Sequence, residues 1–174
     1  MMKINTVAFP EASILFPDRL AYDYHDSFRA DFPDIENTTI SQLVNAFFSG
    51  TPQWIKNLFI LRNALVKLIG LKVPENNSAP VMTSNIEYQV GDALGFFKII
   101  HMIQNECILG EDDKHLDFRI SILKEKGTLT VTTTVQYHNI WGRLYFIPVS
   151  VFHKKIVPAM LRNTVRNNRD EKEK

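Results

Sequence analysis

The sequence predicts an α+β fold in which a curved antiparallel sheet is covered by a long C-terminal helix. Three observations support this prediction. A helical apolar pattern follows the first predicted strand, a period of two runs through residues 96–139, and a second helical pattern follows it. A sheet with one apolar face needs a covering layer, and the last helix is the natural one.

The first elements begin after an irregular lead-in over residues 1–21. Loose alternation from Tyr22 to Phe32 predicts the first strand. Thr39 and Gln42 stand three residues apart, the spacing of a capping box, and therefore predict the start of a helix. Apolar residues at helical spacing continue this helix to a stop at Gly50.

A second helix is predicted from Pro52 to Ile69. Its wide apolar stripe favours packing against the sheet over lying in a membrane interface. Residues 71–93, rich in Pro, Asn, Ser and Gly, predict a long connection that contains a short strand over Ile86–Val90. With the first helix, this gives two helices after the first strand.

A meander of four strands follows, because only short polar turns separate the alternating segments. The predicted strands are Phe96–Ile103, Glu106–Glu111, His115–Lys124 and Thr128–His138. Within them Leu116, Phe118, Ile120 and Ile122 share one face, while His115, Asp117, Arg119, Ser121 and the threonines of the next strand share the other. The first face is expected to be buried and the second to face water.

The last helix is predicted from an N-cap at Asn139 to about Arg166. Pro148 and Pro158 lie within its pattern and should kink or divide it. The order of elements favours a helix-grip arrangement with a ligand cavity between the sheet and this helix. We predict one domain over residues 1–166 and a charged flexible tail over residues 167–174.

The composition excludes several classes of function. The 174 residues carry 20 basic and 19 acidic side chains. The chain therefore lacks the basic excess that is typical of nucleic-acid-binding proteins, and we predict no nucleic-acid partner. Cys107 is the only cysteine and lies in a predicted strand, which favours a packed, unreactive thiol. Neither a signal peptide nor an apolar run of roughly 20 residues is evident, so we predict no membrane span and a cytoplasmic location.

Metal and cofactor signals are also missing from the sequence. The five histidines show no metal-binding spacing, and neither a Gly-rich dinucleotide fingerprint nor a nucleophile elbow occurs. Asp112 and Asp113 are better interpreted as turn formers than as cation ligands. We therefore predict no metal and no cofactor.

The chain resembles a family of uncharacterised bacterial domains in the START-like superfamily, also called SRPBCC or polyketide-cyclase-like. The segments that carry the resemblance are Gly110–Asp113, His115–Arg119, His138–Asn139, Gly142–Arg143, Tyr145–Phe146, Phe152–His153 and Met160–Leu161. The resemblance covers Ser13 to Arg162 and is strongest from Gly91 onward. It implies a START-like fold, and it implies no common reaction.

These patterns lead to three hypotheses of function. The first is a domain that binds a small apolar or amphipathic molecule, driven by burial of apolar surface. Its candidate ligand-binding residues are Asp117, Phe118, Arg119, Val135, Tyr137, His138, Arg143, Tyr145, Val149 and Phe152. The second is a cyclase, dehydratase or hydrolase that uses His138, Arg143 and Tyr145 around the same cavity. The third is a protein-interaction module with a filled core.

Two pairs of polar residues also have simpler, structural interpretations. Asp117 and Arg119 alternate along one strand and are expected to form a solvated ion pair. His138 and Asn139 are expected to form the corner between the last strand and the last helix. A histidine at that corner is also suited to acid–base chemistry near neutral pH.

Overall fold

A computed structural model describes residues 3–33, 35–49, 87–95 and 97–172 of the chain. In this part of the chain, seven strands form one antiparallel sheet that two α-helices accompany, which confirms the α+β prediction. The elements are β1 (Ile4–Thr6), β2 (Tyr24–Asp31), α1 (Ile40–Ser49), β3 (Ala93–Leu94), β4 (Phe97–Met102), β5 (Glu106–Asp112), β6 (Leu116–Glu125), β7 (Thr128–Tyr137) and α2 (Ile140–Lys172). The strand order is β1-β2-β7-β6-β5-β4-β3.

The predicted elements are confirmed over most of the described residues. The four meander strands and the first strand lie where the period-two pattern placed them. The capping box of α1 is formed, since Thr39 N donates to Gln42 Oε1 over 2.8 Å and Gln42 N donates to Thr39 Oγ1 over 3.2 Å. The predicted helix over residues 52–69 lies outside the described residues.

Two details of the predicted strands were wrong. The lead-in is not wholly irregular, because β1 pairs with β2 from Ile4 opposite Ala30 to Thr6 opposite Phe28. Residues 87–90 form no strand, and the strand that enters the sheet in this region is β3. Both strands have at most three residues, too few for an alternating pattern to stand out in the sequence.

The C-terminal helix α2 is continuous through Pro148 and Pro158, so the prolines do not divide it, and the alternative of a kink stays a prediction. Each proline removes only one backbone donor, and the buried side chains of Phe146 and Met160 hold the helix on either side of that region. The helix ends at Lys172, six residues beyond the predicted end at Arg166. The predicted flexibility of residues 167–174 stays a prediction.

The inner face of the sheet packs against α1 and α2 and forms the main core. Phe28, Ile122 and Val131 from the central strands meet Leu43 and Phe47 of α1 and buried residues of α2 in one cluster. The apolar alternation of β6 and β7 therefore points where it was expected to point. α2 covers the sheet as the helix-grip prediction requires.

The outer face of the sheet was predicted to face water, and this prediction was wrong for its centre. Ser121, Thr130 and Thr132 are fully buried there. The segment over residues 7–22 lies on this face, where Ser13 is next to Ser121 and Phe9 packs in a small cluster with Leu15 and Ile108, while Arg29 Nε donates to Thr130 Oγ1. Serine and threonine occur on both solvent-exposed and buried strand faces, because their hydroxyl groups can bind water or other polar groups. The period-two pattern alone therefore did not reveal that the N-terminal segment lies on this face.

Glu106 ties this N-terminal segment to the sheet. Its carboxyl group is fully buried and accepts hydrogen bonds from Ser13 Oγ (2.6 Å), Ile14 N (2.8 Å) and Ser121 Oγ (2.5 Å). Ser27 Oγ and Thr132 Oγ1, 2.9 Å apart, form a further hydrogen bond across β2 and β7. The outer layer is thus held by buried polar groups that satisfy one another.

Helix α2 is long and apolar enough, between Ile140 and Asn168, to cross a membrane by length and composition. Only 22% of its most apolar window is buried in the structure. The core helix of a soluble protein passes the same test, so this observation alone is weak evidence for a membrane span.

Candidate functional site

A cleft lined by described residues lies at the corner where β7 ends and α2 begins. Its volume is about 230 Å³, which suits a small ligand or one part of a larger one. The lining residues are Asp23, Tyr137, His138, Asn139, Ile140 and Arg143. Three of the predicted ligand-binding residues, Tyr137, His138 and Arg143, therefore meet in one place.

Local sequence explains why this corner is well formed. Asn139 Oδ1 accepts hydrogen bonds from Trp141 N (3.1 Å) and Gly142 N (3.2 Å), which confirms it as the N-cap of α2. His138 N donates to His115 O over 2.9 Å, and Asn139 Nδ2 donates to Lys114 O over 3.1 Å. The predicted strand-to-helix corner is confirmed, and it is tied to the turn before β6.

Gly142 allows α2 to start this close to the sheet. A Cβ atom at this position would overlap the backbone carbonyl of His115. Gly110 likewise allows β5 to approach β6 closely, since a Cβ atom there would overlap the carbonyl oxygen of Phe118. Both glycines belong to the segments that carry the family resemblance, and close backbone approach is the physical reason for them.

Opposite charges flank Tyr137 in the cleft. Asp23 Oδ2 accepts a hydrogen bond from Tyr137 N over 2.7 Å. Burial, together with the negative charge of Asp23, raises the pKa of the Tyr137 hydroxyl, while the positive charge of Arg143 lowers it. The exposed side chain of Arg143 forms no salt bridge or hydrogen bond with another described residue, so its guanidinium is free to bind a ligand.

His138 is paired with an acid on the neighbouring strand. Its Nε2 lies 3.0 Å from Asp117 Oδ2, while Asp117 Oδ1 is buried and meets no hydrogen-bond donor among the described residues. The predicted pair between Asp117 and Arg119 was wrong, because Arg119 forms its salt bridge with Asp112 at 2.5 Å. The Arg119 side chain thereby reaches the end of β5 and does not line the cleft.

The apolar candidates divide into two groups. Val135 is 1% exposed and packs with Leu116 and Phe146, and the partly buried Phe118, Tyr145 and Val149 surround this cluster. They pack between α2 and the inner face of the sheet, as expected, and none of them lines the corner cleft. Phe152 differs from the others, since 46% of it is exposed on the outside of α2.

A buried polar cluster that was not among the predicted site residues lies between the sheet and α2. Tyr24 OH donates to Asp26 Oδ2 over 2.6 Å, and His153 Nδ1 lies 3.0 Å from the same oxygen. His153 Nε2 lies 3.2 Å from Thr133 Oγ1, so the four side chains form one network. Burial, then the hydrogen bond to Asp26, raises the pKa of the Tyr24 hydroxyl.

One atom of this cluster lacks a partner. Asp26 Oδ1 is buried and accepts no hydrogen bond from any residue in the described part of the chain. The sequence contained one signal for the cluster, since the β2 alternation places Asp26 on the same side as Tyr24 and Phe28. An acid on the face that enters the core requires a polar partner. That partner, His153, is 127 residues away, and nothing in the sequence identifies it.

The remaining chemistry of the described residues is limited. Cys107 is buried, and burial raises the pKa of its thiol to about 12, so the thiol stays protonated at neutral pH. This agrees with its interpretation as a packed residue. Among the residues that the structure describes, no group of three or more His, Cys, Asp or Glu side chains is placed to share a metal ion.

Comparison with known proteins places the chain in a family. A family model described as a protein of unknown function, DUF2867, matches residues 20–160. The matched residues include β2, the whole meander and α2 as far as Met160. No curated protein and no solved structure matches the chain. Because the model spans most of the sequence, the chain belongs to the DUF2867 family.

Proposed function

We propose that this DUF2867 domain is a START-like domain that binds a small amphipathic molecule with an anionic head group at the corner cleft. The observation that carries the proposal is the unpaired guanidinium of Arg143 beside Tyr137 and Ile140 in a cleft of about 230 Å³. The motif resemblance and the packing of a long helix on one antiparallel sheet support the START-like assignment.

The charges of the cleft define where the head group binds. A guanidinium binds carboxylate and phosphate oxygens through paired hydrogen bonds, and Arg143 is the cation of the cleft. Asp23 on the other side repels an anion and accepts a hydroxyl or amine donor instead. The preferred ligand therefore carries its acidic group at the Arg143 end and any donor at the Asp23 end.

The apolar part of the ligand can pack against two side chains of the cleft, Ile140 and Tyr137. Ile140 is 60% exposed at the mouth of the cleft, and Tyr137 presents its ring to Phe146 at a centroid distance of 5.9 Å. Tyr137 packs against the buried Leu116–Val135–Phe146 cluster, which holds its ring in place at the cleft. Burial at about 25 cal/mol per Å² makes a short alkyl or aromatic tail sufficient for measurable affinity.

Titration of the protein with octanoate and with 1-octanol tests this proposal. We expect octanoate to shift the amide NMR signals of Tyr137, His138 and Arg143, and to bind roughly tenfold more weakly to Arg143→Gln, because one charge-assisted contact is lost. Binding of 1-octanol should change little in this variant, since it has no charge. Arg162→Gln, an exposed arginine further along α2, is the matched control and should leave both titrations unchanged.

Equal octanoate affinity in the wild type and in Arg143→Gln would contradict the proposal. So would octanoate shifts confined to the exposed side of α2 around Ile147. Native mass spectrometry of the freshly purified protein adds an independent test, because a retained acid of defined mass would identify the ligand class.

A second candidate function is acid–base catalysis at the same cleft. The observation that favours it is the His138–Asp117 pair at 3.0 Å, in which the carboxyl group orients the imidazole ring toward a bound molecule. Tyr145, which the sequence grouped with His138 and Arg143, packs against the Val135 cluster instead.

Conversion of any co-purified molecule by the wild type provides the test of this second function. We expect His138→Gln to stop the mass change of that molecule while octanoate affinity stays within about twofold, because the amide keeps the size but cannot transfer a proton. Loss of octanoate binding in His138→Gln would instead make His138 a binding residue.

A further inference from the structure

The outward face of the first three turns of α2 is apolar. Ile140, Leu144, Ile147 and Val151 follow one another at steps of four, three and four residues, so they lie on one line along the helix. Trp141 and Phe152 flank this line, and all six side chains are between 46% and 60% exposed. We call these six residues the outer stripe. No described residue buries it, and exposed apolar surface of this extent marks an interaction site.

The charged side chains of α2 are all positive between Ile140 and Asn168. From Ile140 to Asn168, α2 contains five lysines and arginines and no aspartate or glutamate. Arg143 near the start of the stripe and Lys154 and Lys155 at its end are exposed. The surface therefore combines a continuous apolar line with a positive border, while the whole chain has a net charge of only +1.

A second copy of the chain fits this surface poorly. Two α2 helices paired through Ile147 would bring lysines and arginines of both copies together, and neither helix has an acidic side chain between Ile140 and Asn168 to offset them. A membrane-spanning role fits no better, because the opposite face of α2 is buried against the sheet through Phe146, Val157 and Leu161. The surface instead matches an anionic lipid interface.

We propose that the outer stripe of α2 binds the surface of a membrane that contains anionic lipids. The helix lies in the plane of the interface, with the stripe among the acyl chains and Trp141 at the head-group level. Arg143, Lys154 and Lys155 extend along the surface to the lipid phosphates, as long basic side chains do at such interfaces. The sheet stays on the aqueous side of the helix.

This surface overlaps the octanoate site proposed above at Ile140 and Arg143, while the rest of the outer stripe lies outside the cleft. The experiment therefore uses residues that do not line the cleft. Sedimentation with vesicles of phosphatidylcholine alone, and with vesicles that also contain phosphatidylglycerol, measures the bound fraction. We expect binding to the anionic vesicles, weakened by added salt, because screening reduces the attraction between the lysines and the phosphates.

Two variants test the two halves of the surface. Ile147→Glu should weaken vesicle binding by tenfold or more, because it places a charge at the centre of the stripe. Lys154→Glu with Lys155→Glu should weaken binding to the anionic vesicles by a similar factor. Leu20→Glu is the matched control, because Leu20 is 89% exposed on the N-terminal segment and should not affect binding. All variants should keep the wild-type melting temperature.

Several outcomes would overturn the proposal. Vesicle binding that is absent in the wild type, or unchanged in Ile147→Glu, excludes a lipid interface at the stripe. A dimeric mass in light scattering that becomes monomeric in Ile147→Glu assigns the stripe to a second copy. A large loss of thermal stability in Ile147→Glu without vesicles shows that the chain itself covers the stripe.

Discussion

Replacement of Glu106 with alanine is expected to lower the free energy of unfolding by roughly 3–5 kcal/mol. The side chain is fully buried and accepts three hydrogen bonds, from Ser13, Ile14 and Ser121. Its removal leaves these donors in a dry environment and also opens a cavity between the sheet and the N-terminal segment. We expect the segment over residues 7–22 to become the first site of proteolytic cleavage in this variant.

Urea unfolding followed by circular dichroism measures the change. Glu125→Ala is the matched control, since Glu125 forms a salt bridge with Arg29 in which both side chains are about one third exposed. Loss of such a pair should cost no more than about 1 kcal/mol. A Glu106→Ala variant within 1 kcal/mol of the wild type would show that Glu106 does not anchor the N-terminal segment.

The inner face of the sheet was predictable from sequence because its signal is local and repeated. Leu116, Ile120 and Ile122 alternate with polar residues along one strand, and the short turns leave an antiparallel meander as the only simple arrangement. The outer face was not predictable in this way. Ser121 and Thr132 are buried there by a segment that is more than 90 residues away in sequence, so their own pattern contained no information about it.

In the candidate site too, contacts between residues close in sequence were predictable and contacts between distant elements were not. Tyr137, His138 and Arg143 were correctly expected to lie near one another, because they surround a single strand-to-helix corner. Partners on different elements were not predicted correctly. Arg119 was expected to pair with Asp117 along its own strand, but the β5–β6 turn brings Asp112 within reach, and the corner brings His138 to Asp117. Such choices depend on strand register, which the alternating pattern does not reveal.

Removal of His153 should lower the free energy of unfolding by about 2–4 kcal/mol, because it leaves Asp26 in a buried position with Tyr24 as its only hydrogen-bond partner among the described residues. The side chains of His153 and Asp26 are 15% and 8% exposed, and their contact joins α2 to β2. A double-mutant cycle with His153→Ala and Asp26→Ala should give a coupling energy of about 1–3 kcal/mol. Urea unfolding of the four proteins measures it.

The chain supplies a matched control for this cycle. His138 and Asp117 form the same kind of pair at the same 3.0 Å distance, but their side chains are 38% and 25% exposed. Since solvent weakens an exposed pair, the His138→Ala and Asp117→Ala cycle should give a coupling below about 1 kcal/mol. Equal coupling energies in the two cycles would mean that burial does not strengthen the Asp26–His153 contact. A larger value for the buried pair would identify it as a main link that holds the covering helix on the sheet.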